Sequence, residues 1–157
     1  MNKIILNSIL CFLFLATMSI AGQAQKTELK DARAESRHKV GQVWSYKTRA
    51  NESKSTFIVV KVDAHPKYGN IIHIAVRDLK MKNSRSADGV SDKINHMPFA
   101  EKAISKSAVK MLKAKAELPD FKEGYNLWRE AFDQERAGFY TVTVAEAVKI
   151  TEEGLNR

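Results

Sequence analysis

Four histidines and one lysine-rich run are the side chains of this chain best suited to act on another molecule. His38, His65, His73 and His96 carry imidazoles, which titrate near neutrality and serve as proton carriers or metal ligands. None of them pairs as H-x-H or H-E-x-x-H, the spacings that bring two ring nitrogens to one ion, so neither a metal site nor a cofactor is expected. The alternation Ile71-His73-Ala75 puts His73 on one strand face, where it could meet His96 on a neighbouring strand with Asp92 close by. Such an imidazole–carboxylate group would suit proton transfer and is the basis of a hydrolase reading. The plainer reading makes His73 a half-exposed strand residue and His96 a hydrogen-bonded edge residue, and it is the one adopted, because a lone histidine is ordinarily not catalytic. Ser105 and Ser107 lack a G-x-S-x-G elbow, Ser84 and Ser86 sit in a polar loop, and no phosphate-binding or dinucleotide glycine motif occurs. Enzyme activity finds no support in these motifs.

The lysines say more. The chain carries a formal net charge of +8, split between net +12 over residues 1–116 and net −4 over 117–157. If residues 101–116 form one helix, Lys102, Lys106, Lys110 and Lys113 fall on one flank of it, opposite Ile104 and Met111. This ridge could hold a phosphate-rich partner such as an anionic lipid headgroup, by attraction and counterion release. The plain alternative is a face that keeps a helix solvated. No aromatic side chains interleave with the lysines, which disfavours nucleic acid, whose bases want stacking platforms beside the charge.

The elements that must position these groups follow from periodicity. Residues 43–48 alternate in the manner of a half-buried strand, 56–63 are rich in β-branched residues, and 71–79 form a third strand. Polar turns at 51–55 and 65–70 join them into an antiparallel meander. A shorter fourth strand is expected over 93–99. After the helix over 101–116, a second helix opens at Asp120, with Glu123 completing a capping-box pattern. Phe121, Tyr125, Trp128 and Phe132 form its apolar stripe, which by spacing is core rather than a ligand groove, and Trp44 and Tyr46 are expected to meet those rings. Gly138 ends it, 139–142 is a last short strand, and Thr143 with Glu146 opens a terminal helix. The order predicts an α+β domain: an antiparallel sheet of four to five strands with about three helices packed on one face.

The N-terminus has a different character. Lys3 precedes an apolar run over 4–21, and Ala21 or Ala24 would suit a signal-peptidase site. Residues 1–24 therefore read as a cleaved signal peptide, with an uncleaved membrane anchor as the alternative. Residues 25–40 read as a flexible, mixed-charge leader, and 41–157 as a single domain large enough to stand on its own core. The only cysteine, Cys11, lies in the signal, so the mature chain would hold no thiol and no disulfide, which suits a bacterial periplasm.

The segments Val40-Gly41-Gln42-Val43-Trp44, His96-Met97-Pro98-Phe99, Leu118-Pro119-Asp120-Phe121 and Ala137-Gly138-Phe139 resemble those of small uncharacterised bacterial exported proteins. The resemblance implies a bacterial source and one folding unit over about 40–153, and carries no activity. Together these features predict a periplasmic or secreted, non-enzymatic binding domain. Lys102, Lys106, Lys110 and Lys113 would face an anionic envelope component or an acidic protein, with no stable membrane insertion after cleavage. An inhibitor or immunity-type protein that blocks another protein is the first alternative, and a hydrolase using His73, His96 and Asp92 the second.

Overall fold

β-Branched and aromatic residues at alternating positions build the long strands that organise this molecule. The structure, a computed structural model, describes residues 30–31 and 36–157; the segment read as a signal peptide lies outside them. Strands β1 (Lys30–Asp31), β2 (Val43–Tyr46), β3 (Thr56–His65) and β4 (Gly69–Arg77) are followed by the small pair β5 (Met81–Lys82) and β6 (Val90–Ser91), then by β7 (Ile94–Ala100). Helix α1 (Glu101–Ser107) runs directly into strand β8 (Ala108–Lys113), and helices α2 (Lys122–Asp133) and α3 (Val144–Leu155) complete the fold. The main sheet has the antiparallel order β7-β4-β3-β2-β8, with β1 paired to the end of β3. The expected α+β domain with an antiparallel meander is the observed fold.

The two sheet faces are covered by different helices. Phe57, Val59, Val62, Ile72, Ile74, Val76, Met97 and Phe99 form the main core with Ala103 and Ile104 of α1 and Val144, Ala147 and Val148 of α3. Ile71, His73 and Ala75 point the other way, by the period-two alternation of β4, and are also fully buried; on this face Trp128 of α2 packs against His73. Trp44 and Tyr46 belong to the main core and pack on His38 and Phe57 respectively; the α2 rings instead meet the histidines on the opposite face.

Several details differ from the sequence expectation. The helices lie on both faces of the sheet rather than one, and the strand expected over 139–142 is reduced to a single bridge of Tyr140 to Phe99. The helix expected over 101–116 stops at Ser107, and 108–113 is strand β8 along the open edge of β2. The ladder of hydrogen bonds that the open edge of β2 offers outweighs the helix propensity of the segment. At α2 the N-cap is Phe121, with no side-chain cap, so the Asp120–Glu123 box does not form. The Thr143–Glu146 box does, with both reciprocal bonds present. Order also begins before Gly41: Lys30–Asp31 pairs with β3, and Ser36 and His38 are buried.

Arg49 ties the two ends of the domain. It forms a two-pronged pair with the buried carboxylate of Glu52 and a third bond to Glu152 of α3. Glu52 also accepts the Lys80 amide at 2.7 Å, so the β2–β3 turn, the approach to β5 and the last helix share one charged knot.

Candidate functional site

The second sheet face carries a group of contacting polar and aromatic side chains, and a β-bulge assembles it. Along β3, Val59 faces Ile74 of β4 while Lys61, two residues on, faces the very next partner, His73. The extra residue, Val60, reverses which side of the sheet the rest of β3 addresses. Phe57 and Val59 enter the main core before it, and Val62 after it, so Lys61 and Asp63 join His73 on the opposite face. His96 arrives from β7 two residues before Pro98, the register partner of His73. Pro98 is tolerated there because β7 is an outer strand of the sheet.

Within this group His73 Nδ1 lies 2.9 Å from His96 Nε2, the rings stacked at 5.1 Å. His73 Nε2 is 3.2 Å from Asp63 Oδ2, close enough for strong attraction although its N–H is not aligned on the oxygen. The Tyr125 hydroxyl donates to the same carboxylate at 2.8 Å, and Lys61 Nζ stands 3.2 Å from the other oxygen. Tyr125 and Trp128 of α2 set their rings edge-on to His73. Gly124 lets the helix come this near, because a Cβ on it would stand 3.0 Å from the His96 Cβ.

Burial governs the charge states. It lowers the His73 pKa against the opposing pull of Asp63, and it lowers His96 to about 4, with the neighbouring His73 adding to the effect. Burial alone would raise the Asp63 pKa, but the close approach of His73, the bond from Tyr125 and the charge of Lys61 hold it below the usual carboxylate value. Tyr125 is pushed up to about 12 by burial and by its bond to Asp63. With Asp63 charged beside Nε2, His73 carries its proton there. Its Nδ1 then accepts from His96 Nε2–H. This is a row of proton sites, Asp63–His73–His96, with His96 as the only imidazole of the pair in contact with solvent. Because His73 is wholly buried and both its nitrogens face protein groups, no reacting molecule reaches it. The arrangement orders α2 on the sheet.

His73 and His96 therefore meet, while Asp92 stands apart. It is exposed beyond β6, its carbonyl accepting the Leu79 amide and its charge felt by Arg77. His73 is also not half-exposed, as the adopted sequence reading had it, but fully covered by α2. The carboxylate of the cluster is Asp63, which sequence reasoning missed because the bulge at Val60 hides it from an alternation pattern. The remaining histidines have local partners: His65 Nδ1 accepts the Lys67 and Tyr68 amides and so shapes the β3–β4 turn, and His38 Nε2 bonds Ser105 at 3.1 Å. No group able to hold a metal ion occurs among the described residues.

The lysine-rich stretch forms a second candidate site with a different shape from the expected helical ridge. Lys102 and Lys106 lie one turn apart on α1, while Lys110 and Lys113 lie on β8; the single helical flank does not exist, because the helix ends at Ser107. All four are exposed, as is Lys115, and no carboxylate occurs between 102 and 115. None of the five forms a salt bridge with a described residue. β8 is an outer strand, and its Val109, Met111 and Leu112 are 61%, 42% and 53% exposed.

No protein-family profile, no curated protein and no solved structure matches this chain. The fold and its sites stand on their own geometry.

Proposed function

We propose that this protein is a small exported, non-enzymatic binding domain of the bacterial envelope, and that the α1–β8 surface takes an anionic or acidic partner. One observation carries the reading: five exposed lysines between 102 and 115 lack ion-pair partners among the described residues and have no carboxylate interspersed. Five cations with no carboxylate interspersed sum to a positive potential that attracts opposite charge from outside, although Glu146 feels the charge of Lys106. The export part rests on the apolar run over 4–21 behind Lys3. Among the described residues no helix is long and apolar enough to cross a membrane.

Replacing Lys102, Lys106, Lys110 and Lys113 together with glutamine tests the reading. The variant keeps its circular dichroism and elutes from heparin at much lower salt than the wild type; elution at unchanged salt refutes the assignment. Intact-mass analysis of the protein from its native host tests export, and a soluble cytoplasmic chain retaining Met1 counts against it. A partner that forms a one-to-one complex surviving moderate salt would instead favour the inhibitor or immunity-type role.

The hydrolase reading keeps the contact between His73 and His96 but loses Asp92. Asp63 takes its place in a cluster closed over by α2, and this leaves no approach for a substrate to His73.

A further inference from the structure

We infer that the partner of the α1–β8 surface is an anionic lipid surface, into which the apolar side chains of β8 insert while the lysines meet the headgroups. The inference rests on the proposed basic-surface reading and adds the occupant. Its observation is the register of β8 on β2. Tyr46 faces Ala108 and Ser45 faces Lys110, then Trp44 faces Met111 and Val43 faces Lys113. Two residues of β8, Val109 and Leu112, are thus extra to the ladder, and each forms a bulge.

Two observations favour a bilayer. A strand bulged twice in six residues presents an irregular outer edge, which resists the regular ladder that an added strand from another protein would need. The apolar and cationic side chains of β8 are also interleaved, with Lys110 between Val109 and Met111 and Lys113 next to Leu112. Three apolar side chains at 42% to 61% exposure set directly among lysines match the interfacial layer of an anionic bilayer, where apolar atoms enter beneath the headgroups that the cations meet. A second copy of the chain is disfavoured on charge, since self-association there would bring two lysine-rich stretches together.

The decisive measurement is co-sedimentation of the purified protein with phosphatidylglycerol/phosphatidylcholine vesicles and with vesicles of phosphatidylcholine alone, in parallel with heparin elution. The wild type is expected on the anionic vesicles and not on the neutral ones, with each lysine contributing about five-fold in affinity. The triple variant Val109→Ser, Met111→Ser, Leu112→Ser is expected to lose at least about ten-fold on the anionic vesicles while its heparin elution stays unchanged. The two proteins are identical at every other position, so the difference reports on β8. Unchanged vesicle affinity in the triple variant overturns the insertion and leaves the basic-surface reading standing; wild-type protein that ignores heparin overturns both. Wild-type binding to poly-glutamate in preference to the vesicles overturns the lipid assignment in favour of an acidic protein, and a dimer that the triple variant abolishes overturns it in favour of a second copy.

Discussion

Acid should loosen this protein well above the pH at which carboxylates titrate, and His96 gives the size of the effect. Its pKa falls from 6.5 to about 4 on folding, first through burial and then through the neighbouring His73. The unfolded chain therefore binds the proton more readily, so stability is complete above pH 6.5 and declines as pH falls toward 4. Between pH 7.5 and 5.0 His96 alone removes about 2 kcal/mol, and its full loss below pH 4 is about 3 kcal/mol. His73 adds in the same direction, while Lys61 and Arg129 oppose a new positive charge there and Asp63 favours it. Asp63 itself, held below the ordinary carboxylate value, loses its contribution only at still lower pH. The assay is urea denaturation at pH 7.5 and 5.0, followed by the fluorescence of Trp128 and Trp44. His96→Gln should shed about 2 kcal/mol of the wild-type difference between the two pH values. A wild type equally stable at both, or a variant with the same pH dependence as the wild type, refutes the reasoning.

Three further outcomes follow from packing and hydrogen bonding. Gly124→Ala should lower stability by about 1 kcal/mol in spite of alanine's better helix propensity, because the new methyl meets the His96 Cβ at 3.0 Å; a melting temperature above wild type would contradict this. Glu52→Ala leaves Arg49 and the Lys80 amide without their shared carboxylate and should lose about 3 kcal/mol in a urea titration, a loss below about 1 kcal/mol showing the knot to be dispensable. Thr143→Ala removes the side-chain half of the capping box on α3 and should lose about 1 kcal/mol, read in the same way.

Much of the fold was legible because its signals were local. The β-branched run at 56–63 and the turn at 65–70 need no distant partner to be recognised, and strands β3 and β4 lie there. The Thr143–Glu146 box reads from four residues and forms as written. The stretch after Ser107 was not legible: Ile104, Ala108, Met111 and Leu112 do recur at helical spacing, and only the empty edge of β2, far earlier in the chain, makes that stretch a strand. The site divides the same way. A meeting of His73 with His96 follows from placing them on adjacent strands. Asp63 in place of Asp92, and the burial beneath α2, depend on a bulge and on the close approach at Gly124, neither of which leaves a periodic mark.

Because neighbouring side chains point to opposite sides, a surplus residue acts on a strand as a frameshift acts on a message. Val60 is that surplus residue. Deleting it would keep every amino acid downstream yet exchange their destinations, sending a lysine and an aspartate into the greasy layer under α3 and turning Val62 toward Tyr125. This domain should therefore tolerate a change of residue type at that point far better than a change of length.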